Sequence, residues 1–376
     1  MSVRPHATRR GQAGMSLVEL MVGMLIGLIG IIIIAHLYVT NDQYQRSTSG
    51  GGTAQVNGAI ALYTLEREVR QGGFGVNHSG ALECSCAGAG CSPVQYYYKG
   101  VHSFPPAASA AGARPSLTLA PVVITQNAAG STDSITIFSA TDAERVLPTT
   151  LLETMATSQT AMKPDGIGGF DINNLVVMAS GTTCALAQIS AIPNPVTQDL
   201  VHVGGDWNPA PGALPAFGSG SLIFGLGTTP MWRRYTIVNN KLQMADMSAL
   251  LGDSAPMDLV DDIVDLQARY GKDTDGDADA SVDTWDEITP TTGAGWAQVK
   301  AIQIAVLARS GNYEKPPTPG GPCDATVTAA FDPNRPPPSP SWAGGSFTFP
   351  GGLPSCYKYR AFETIIPLRN MIWRPA

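Results

Sequence analysis

The chain begins with a block of apolar positions that has almost no polar break. Residues 15–39 read MSLVELMVGMLIGLIGIIIIAHLYV, with Glu19 as the one formal charge. As a helix this block spans roughly 37 Å, enough to cross a bilayer core. Beyond it the apolar positions become periodic. Over 54–71 (AQVNGAIALYTLEREVRQ), Val56, Ile60, Leu62, Leu65 and Val69 fall near one helical stripe, and Glu66 and Arg70 make an i,i+4 pair. Gly50-Gly51-Gly52 is expected to bend or unwind this spine, and Gly72-Gly73 to end it.

After residue 72 the period shortens. Ser134–Ser139, Leu175–Ala179, Leu200–Val203 and Leu222–Phe224 are expected strands between Gly/Pro/Ser turns. Residues 232–244 (WRRYTIVNNKLQM) predict a hairpin turning at Asn239-Asn240, because Asn tolerates positive φ. Residues 257–270 place Leu259, Val260, Ile263, Val264 and Leu266 at helical spacing and predict a short helix. Residues 299–307 and 358–368 are expected late strands, and 105–115 and 315–340 Pro/Ala/Gly-rich loops. No internal repeat and no second apolar span is seen. The expected fold is α+β: a long N-terminal helical spine, transmembrane in its first part, carrying a β-rich antiparallel head. The expected boundaries are 1–14 for a leader, 15–71 for the spine and 72–376 for the head. The head is one unit or two, about 72–256 and 257–376.

Composition narrows the function. Apolar residues make up 44% of the 376 and charged residues 14%, so the head has material for a sizeable core. The formal net charge is −7, and residues 1–14 hold Arg4, Arg9 and Arg10 but no acid; removing them leaves −10. An acidic body without a basic stripe excludes nucleic acid as a partner, since such binding needs Lys and Arg to displace counterions. Secretory signals also start basic and turn apolar, but their apolar stretch is short and ends at a small-residue cleavage site. Here the apolar run is longer, and the small residue, Gly14, precedes it. Cleavage after Gly14 would keep the apolar helix and turn Met15 into a new α-amine four residues before Glu19. A carboxylate within an apolar helix costs roughly 2.5–3.5 kcal/mol at a bilayer centre. Pairing with the amine of a neighbouring chain would satisfy both charges and set the axial register. The arginines before the span place the N-terminus on the cytoplasmic side.

Gly14-Met15-Ser16-Leu17-Val18-Glu19-Leu20 resembles the class III signal of type IV prepilins and type II secretion pseudopilins, with Met where Phe is usual. The resemblance implies cleavage after Gly14 by a prepilin peptidase, methylation of Met15, and assembly through Glu19, Leu17, Val18 and Leu20. Tyr270 to Asp277 (YGKDTDGD) and Arg360 to Asn370 (RAFETIIPLRN) are similar to a loop and a closing segment of PilW-type minor pilins. That family implies a non-enzymatic subunit that primes or caps pilus assembly in a tip complex. Its implied partners are other minor pilins, the major pilin and a large tip adhesin. Its implied location is the inner membrane before assembly, single-pass with a cytoplasmic N-terminus, and the pilus, at its tip, afterwards. A J-type minor pseudopilin of type II secretion is the close alternative, and a calcium-dependent tip adhesin a more distant one. A membrane-anchored hydrolase would need a catalytic constellation. No His-Glu-x-x-His, Gly-x-Ser-x-Gly or phosphate loop is present, and the 218–227 stretch lacks dinucleotide-binding spacing.

Two side-chain groups remain. Twelve of the 30 carboxylates lie in 253–287, centred on Asp273, Asp275, Asp277, Asp279 and Asp283. Alternate carboxylates in a tight loop suit a hard cation such as Ca²⁺. The register is not that of an EF-hand, since Ala278 or Ala280 falls where Gly is needed; a solvated acidic turn is the plainer reading. The six cysteines, Cys84, Cys86, Cys91, Cys184, Cys323 and Cys356, suit disulfides in an exported protein better than zinc. The expected pairing is Cys323 with Cys356 across the Pro-rich loop, and two bridges among the other four. Cys84 and Cys86 are expected to bond elsewhere than to each other. His36 falls at the membrane edge, and His78, His102 and His202 are scattered.

Overall fold

The computed structural model describes residues 16–85, 94–99, 101–102, 117–126, 131–141, 147–193, 196–250, 255–277, 279–313, 340–347 and 357–373. Helix α1 runs Leu17–Gln71 and a short α2 follows at Ser79–Leu82. The main strands are β1 Val122–Thr125, β2 Ser134–Ser139, β3 Thr149–Thr150, β4 Leu175–Ser180, β5 Thr183–Gln188, β6 Leu222–Gly227 and β7 Met231–Val238. They continue with β8 Lys241–Asp246, β9 Met257–Asp261, β10 Ile263–Lys272, β11 Thr284–Asp286, β12 Val299–Arg309 and β13 Tyr359–Pro367. These build three sheets, ordered β3-β6-β4-β5, β9-β8-β7-β2-β1 and β11-β10-β12-β13. Every strand pair within them is antiparallel. The protein is therefore an α+β chain, an N-terminal apolar helix followed by a β-rich antiparallel head.

Strict alternation along the strands builds the layers. Ile135 and Ile137 of β2 and Tyr235 of β7 face a core shared with α1, β10 and β12. Phe138 and Trp232, on the opposite face, meet Val177, Leu186 and Phe224 of the β3-β6-β4-β5 sheet. Val176, Met178 and Ile223 turn to that sheet's far side, against Met155, Phe170 and Phe217. β12 is buried on both faces: Ile302, Ile304 and Val306 point at α1's core, and Ala305 and Leu307 at Phe347.

Three sequence expectations change. First, α1 passes through Gly50-Gly51-Gly52 as one uninterrupted 55-residue helix. Glycine serves close approach there: a Cβ on Gly50 would sit 3.2 Å from Ser310 Cβ. Second, the face of α1 that meets the head is Ala54, Gly58, Ala61, Leu65 and Val69, with Leu62 half-buried. Val56 and Ile60 are 57% and 48% exposed instead. Small residues win the buried face because sheet and helix come within side-chain thickness: a Cβ on Gly58 would lie 2.2 Å from the Phe362 ring. Third, 257–270 is not a helix but strands β9 and β10, turning at Asp262 with φ 59°. A register shift between Ile263 and Asp265 inserts an extra residue, so Ile263 and Leu266 both face the core three apart. A β-bulge here imitates helical spacing.

Several other expectations stand. β2, β4, β6, β12 and β13 occupy the predicted runs, with Leu200–Val201 a shorter strand than expected. The hairpin turns at Asn239 and Asn240, with φ 53° and 59°. The Glu66–Arg70 pair forms, and α1 ends at Gln71 with Gly72 as its cap. The 105–115 and 315–339 stretches lie outside the described residues.

Candidate functional site

The spine presents the largest uncovered surface. Leu17–Asp42 is a 26-residue helical stretch of mean hydropathy 2.8, with no part of its most apolar window buried. Leu17, Val18, Leu20, Leu25, Ile26 and Ile31 to Ile34 are all exposed. Contiguous apolar surface of this size needs lipid or protein cover. Glu19 lies in the first turn, where a carboxylate complements the helix dipole. Its amide and that of Leu20 donate to Ser16 O at 3.0 and 3.1 Å, which fixes the helix start. Gly14 and Met15 lie outside the described residues.

Beyond residue 50 the same helix is locked to the head. Glu68 is 4% exposed and accepts from Arg233 on β7 at 2.8 Å and from Arg67 at 2.9 Å. A buried carboxylate requires such partners. Its sequence gave no warning of this role, since it reads as one more acid in a charged helical turn.

The acidic loop connects β10 to β11. Carboxylate oxygens of Asp273, Asp275 and Asp277 lie within 4.8 Å of one another. Consecutive Asx turns make the cluster: Asp275 Oδ1 accepts from the Asp277 amide and Asp277 Oδ1 from the Asp279 amide, each at 3.1 Å. Each of these carboxylates keeps a second oxygen for a cation. Asp273 is anchored by its amide on Gln298 O at 2.9 Å and by Lys300 Nζ at 3.5 Å. Asp279 and Asp283 are not part of the trio. Asp279 accepts from the Ser281 amide at 2.6 Å, and Asp283 from the amides of Thr274 and Asp275 at 2.9 and 3.3 Å. Lys300 was invisible as a loop partner because it lies on a different strand.

Cys84, just after α2, and Cys184 on β5 form a disulfide inside the core between sheets. Cys86, Cys91, Cys323 and Cys356 lie outside the described residues. His78 Nδ1 accepts from the Gly80 amide and caps α2. His202 is buried, and burial holds its pKa below the usual histidine value.

Two family comparisons bear on these features. The prokaryotic N-terminal methylation motif matches residues 9–35, the stretch holding Gly14, Glu19 and the exposed helix. The model for Type IV Pilus-assembly protein W matches residues 233–370, from β7 through the acidic loop and β13 to the turn after it. Together the two matches support a PilW-type type IV minor pilin. No curated protein and no solved structure matches it. The family matches indicate a structural pilus component and imply that it works with other pilins. Its methylation motif and bare helix fit membrane anchoring and pilus incorporation. The disulfide fits an oxidising compartment.

Proposed function

We propose that this pilin primes or caps pilus assembly from a tip complex with other minor pilins. The bare apolar helix with Glu19 in its first turn, continuous with a helix locked under the head, carries this reading. Before assembly the helix sits in the inner membrane with Arg4, Arg9 and Arg10 on the cytoplasmic side. Prepilin peptidase cuts after Gly14, and Met15 is methylated. The chain then leaves the bilayer by exchanging lipid for neighbouring spines, and Glu19 meets a neighbour's N-terminal amine. Continuity of α1 lets a pull on the head reach the bilayer segment directly. A large tip adhesin would meet the head at the filament end. The test is deletion of the chain in a strain with an intact major pilin. Surface pili counted by electron microscopy are expected to fall about tenfold, as loss of roughly 1.4 kcal/mol of initiation free energy would give, and to recover with the full gene. Normal piliation with loss of protein secretion would instead favour the J-type pseudopilin reading.

A second reading concerns the acidic loop. Three clustered carboxylates with free second oxygens favour Ca²⁺ there, with Asp273, Asp275 and Asp277 as ligands. Millimolar Ca²⁺ is expected to stabilise the full chain in detergent by roughly 1 kcal/mol, seen as a melting shift of about 2–4 °C. The double variant Asp275→Asn/Asp277→Asn is expected to lose that shift. An equal shift in both proteins would show that calcium acts elsewhere.

A further inference from the structure

We propose that the closing segment, residues 360–370, is a latch that clamps the spine and caps its end, so that the last strand of the head completes the joint between head and spine. The joint is a property of the chain by itself, whether or not it enters a filament.

The contacts between this segment and the spine advance together. Arg360 Nη1 donates to Gln55 Oε1 at 2.6 Å. A Cβ on Gly58 would lie 2.2 Å from the Phe362 ring, so ring and helix backbone touch. Ile366 and Leu368 are fully buried in the core that holds Ala61, Leu65 and Val69 of α1. Alternate residues of a strand share a face, which is how 360, 362, 366 and 368 all come to the spine. Ala361 turns the other way, toward Ala305, Leu307 and Phe347. At the end of the run, Asn370 Nδ2 donates to Gln71 O at 3.3 Å and to Gly72 O at 3.0 Å. The clamp therefore follows the spine from Gln55 to its last turn.

The cap supplies what the helix end lacks. The last carbonyls of a helix have no partner within it. On α1 the Gly72 amide satisfies Val69 O at 3.0 Å, but the Gly73 amide is drawn away to Phe138 O at 2.8 Å. The Phe74 amide reaches Gln71 O only at a long 3.4 Å. Asn370 brings donors to the Gln71 and Gly72 carbonyls from 299 and 298 positions along the chain. Both partners are carbonyl oxygens, so only the NH₂ side of the amide fits there. The Asn370 carbonyl in turn accepts from Asn77 Nδ2 at 2.8 Å, which ties the turn after the spine into the same contact. Met371, buried in the following turn of helix, lies against the space beside Gly73.

The order of the elements gives the latch its consequence. The spine opens the chain, and every other strand of the head precedes β13. The Glu68–Arg233 ion pair can hold the helix to β7 without the closing segment. The carbonyls at the helix end and the face around Gly58 cannot be covered until it arrives. The end of the spine is thus fixed to the head only after the rest of the head has been made.

The test compares Asn370→Ala and Asn370→Asp with the unaltered full chain in detergent, by hydrogen exchange read with mass spectrometry. Aspartate keeps the shape of asparagine but turns an acceptor toward two carbonyls. Exchange in the peptide covering 69–77 is expected to rise about tenfold in the alanine variant and at least as much in the aspartate variant. Exchange in β4 and β6, in a different sheet, is expected to stay within about twofold. Asn77→Ala, which leaves Asn370 in place but removes its tether, is expected to raise exchange in the same peptide about threefold. It decides the question if the Asn370 variants do not fold. Unchanged exchange at 69–77, an aspartate variant that behaves like asparagine, or an equal rise in β4 and β6 would overturn the latch.

Discussion

Glu19→Ala is expected to leave the chain in the membrane and largely out of the filament. The argument starts from the first turn of α1. Glu19 is flanked by Leu17, Val18 and Leu20, all exposed, and the helix behind it is bare to Asp42. In the bilayer the carboxylate lies near a helix end, within reach of water. In a bundle of spines it is surrounded by apolar side chains, and an unpaired charge there costs several kcal/mol. In the assembly proposed above, a neighbour's α-amine at residue 15 would neutralise it. Alanine removes one partner and leaves the amine buried and alone, at a cost of about 3–5 kcal/mol. That corresponds to a loss of more than about a hundredfold in incorporation. The measurement is the ratio of chain in sheared pili to chain in membranes. Glu19→Gln tests charge against shape and is expected to fail nearly as badly. Wild-type incorporation of both variants would remove the charge-pairing mechanism. Their membrane insertion is expected to be normal, because alanine and glutamine are easier to insert than a carboxylate.

Removing the Cys84–Cys184 disulfide is expected to destabilise the head by about 3–5 kcal/mol. The bridge closes a separation of 100 residues, a length at which the loop-entropy estimate is about 4.7 kcal/mol. Both cysteines are fully buried between the sheets, so the bridge also ties the segment after the spine to β5. Cys84→Ala/Cys184→Ala is the suitable variant, since two serines would add unpaired hydroxyls to an apolar core. Urea unfolding of the full chain in detergent, followed by tryptophan fluorescence, gives the difference. A change below about 1 kcal/mol would mean that the unfolded chain gains little freedom when the bridge is lost.

Much of the site was legible because its chemistry is local. The Gly14 to Leu20 motif, the bare helix and the carboxylate at residue 19 lie within one short stretch, and nothing distant is needed to interpret them. The acidic loop was equally plain as spacing. Its division into the trio Asp273, Asp275 and Asp277 and the separate Asp279 and Asp283 was not. Backbone amides decide which carboxylates turn together, and Lys300 arrives from another strand. The strands with clean alternation, such as β2 and β4, were read correctly for the same local reason. The 257–270 segment was misread because a bulge displaced its core residues into helical spacing.

The sequence by itself determined the class of this protein: an apolar spine with one carboxylate, an acidic β-rich head and a closing strand. Those properties follow from composition and from periods of two to four residues, which each segment carries alone. Tertiary structure decided which face of α1 is buried, because only the approach of Phe362 to Gly58 and Ser310 to Gly50 shows that small residues are needed there. It also decided that Glu68 meets Arg233, that Cys84 meets Cys184, and that β13 comes last in the β11-β10-β12-β13 order. Each of these joins residues a hundred or more positions apart or depends on strand order, and neither is encoded in any local pattern.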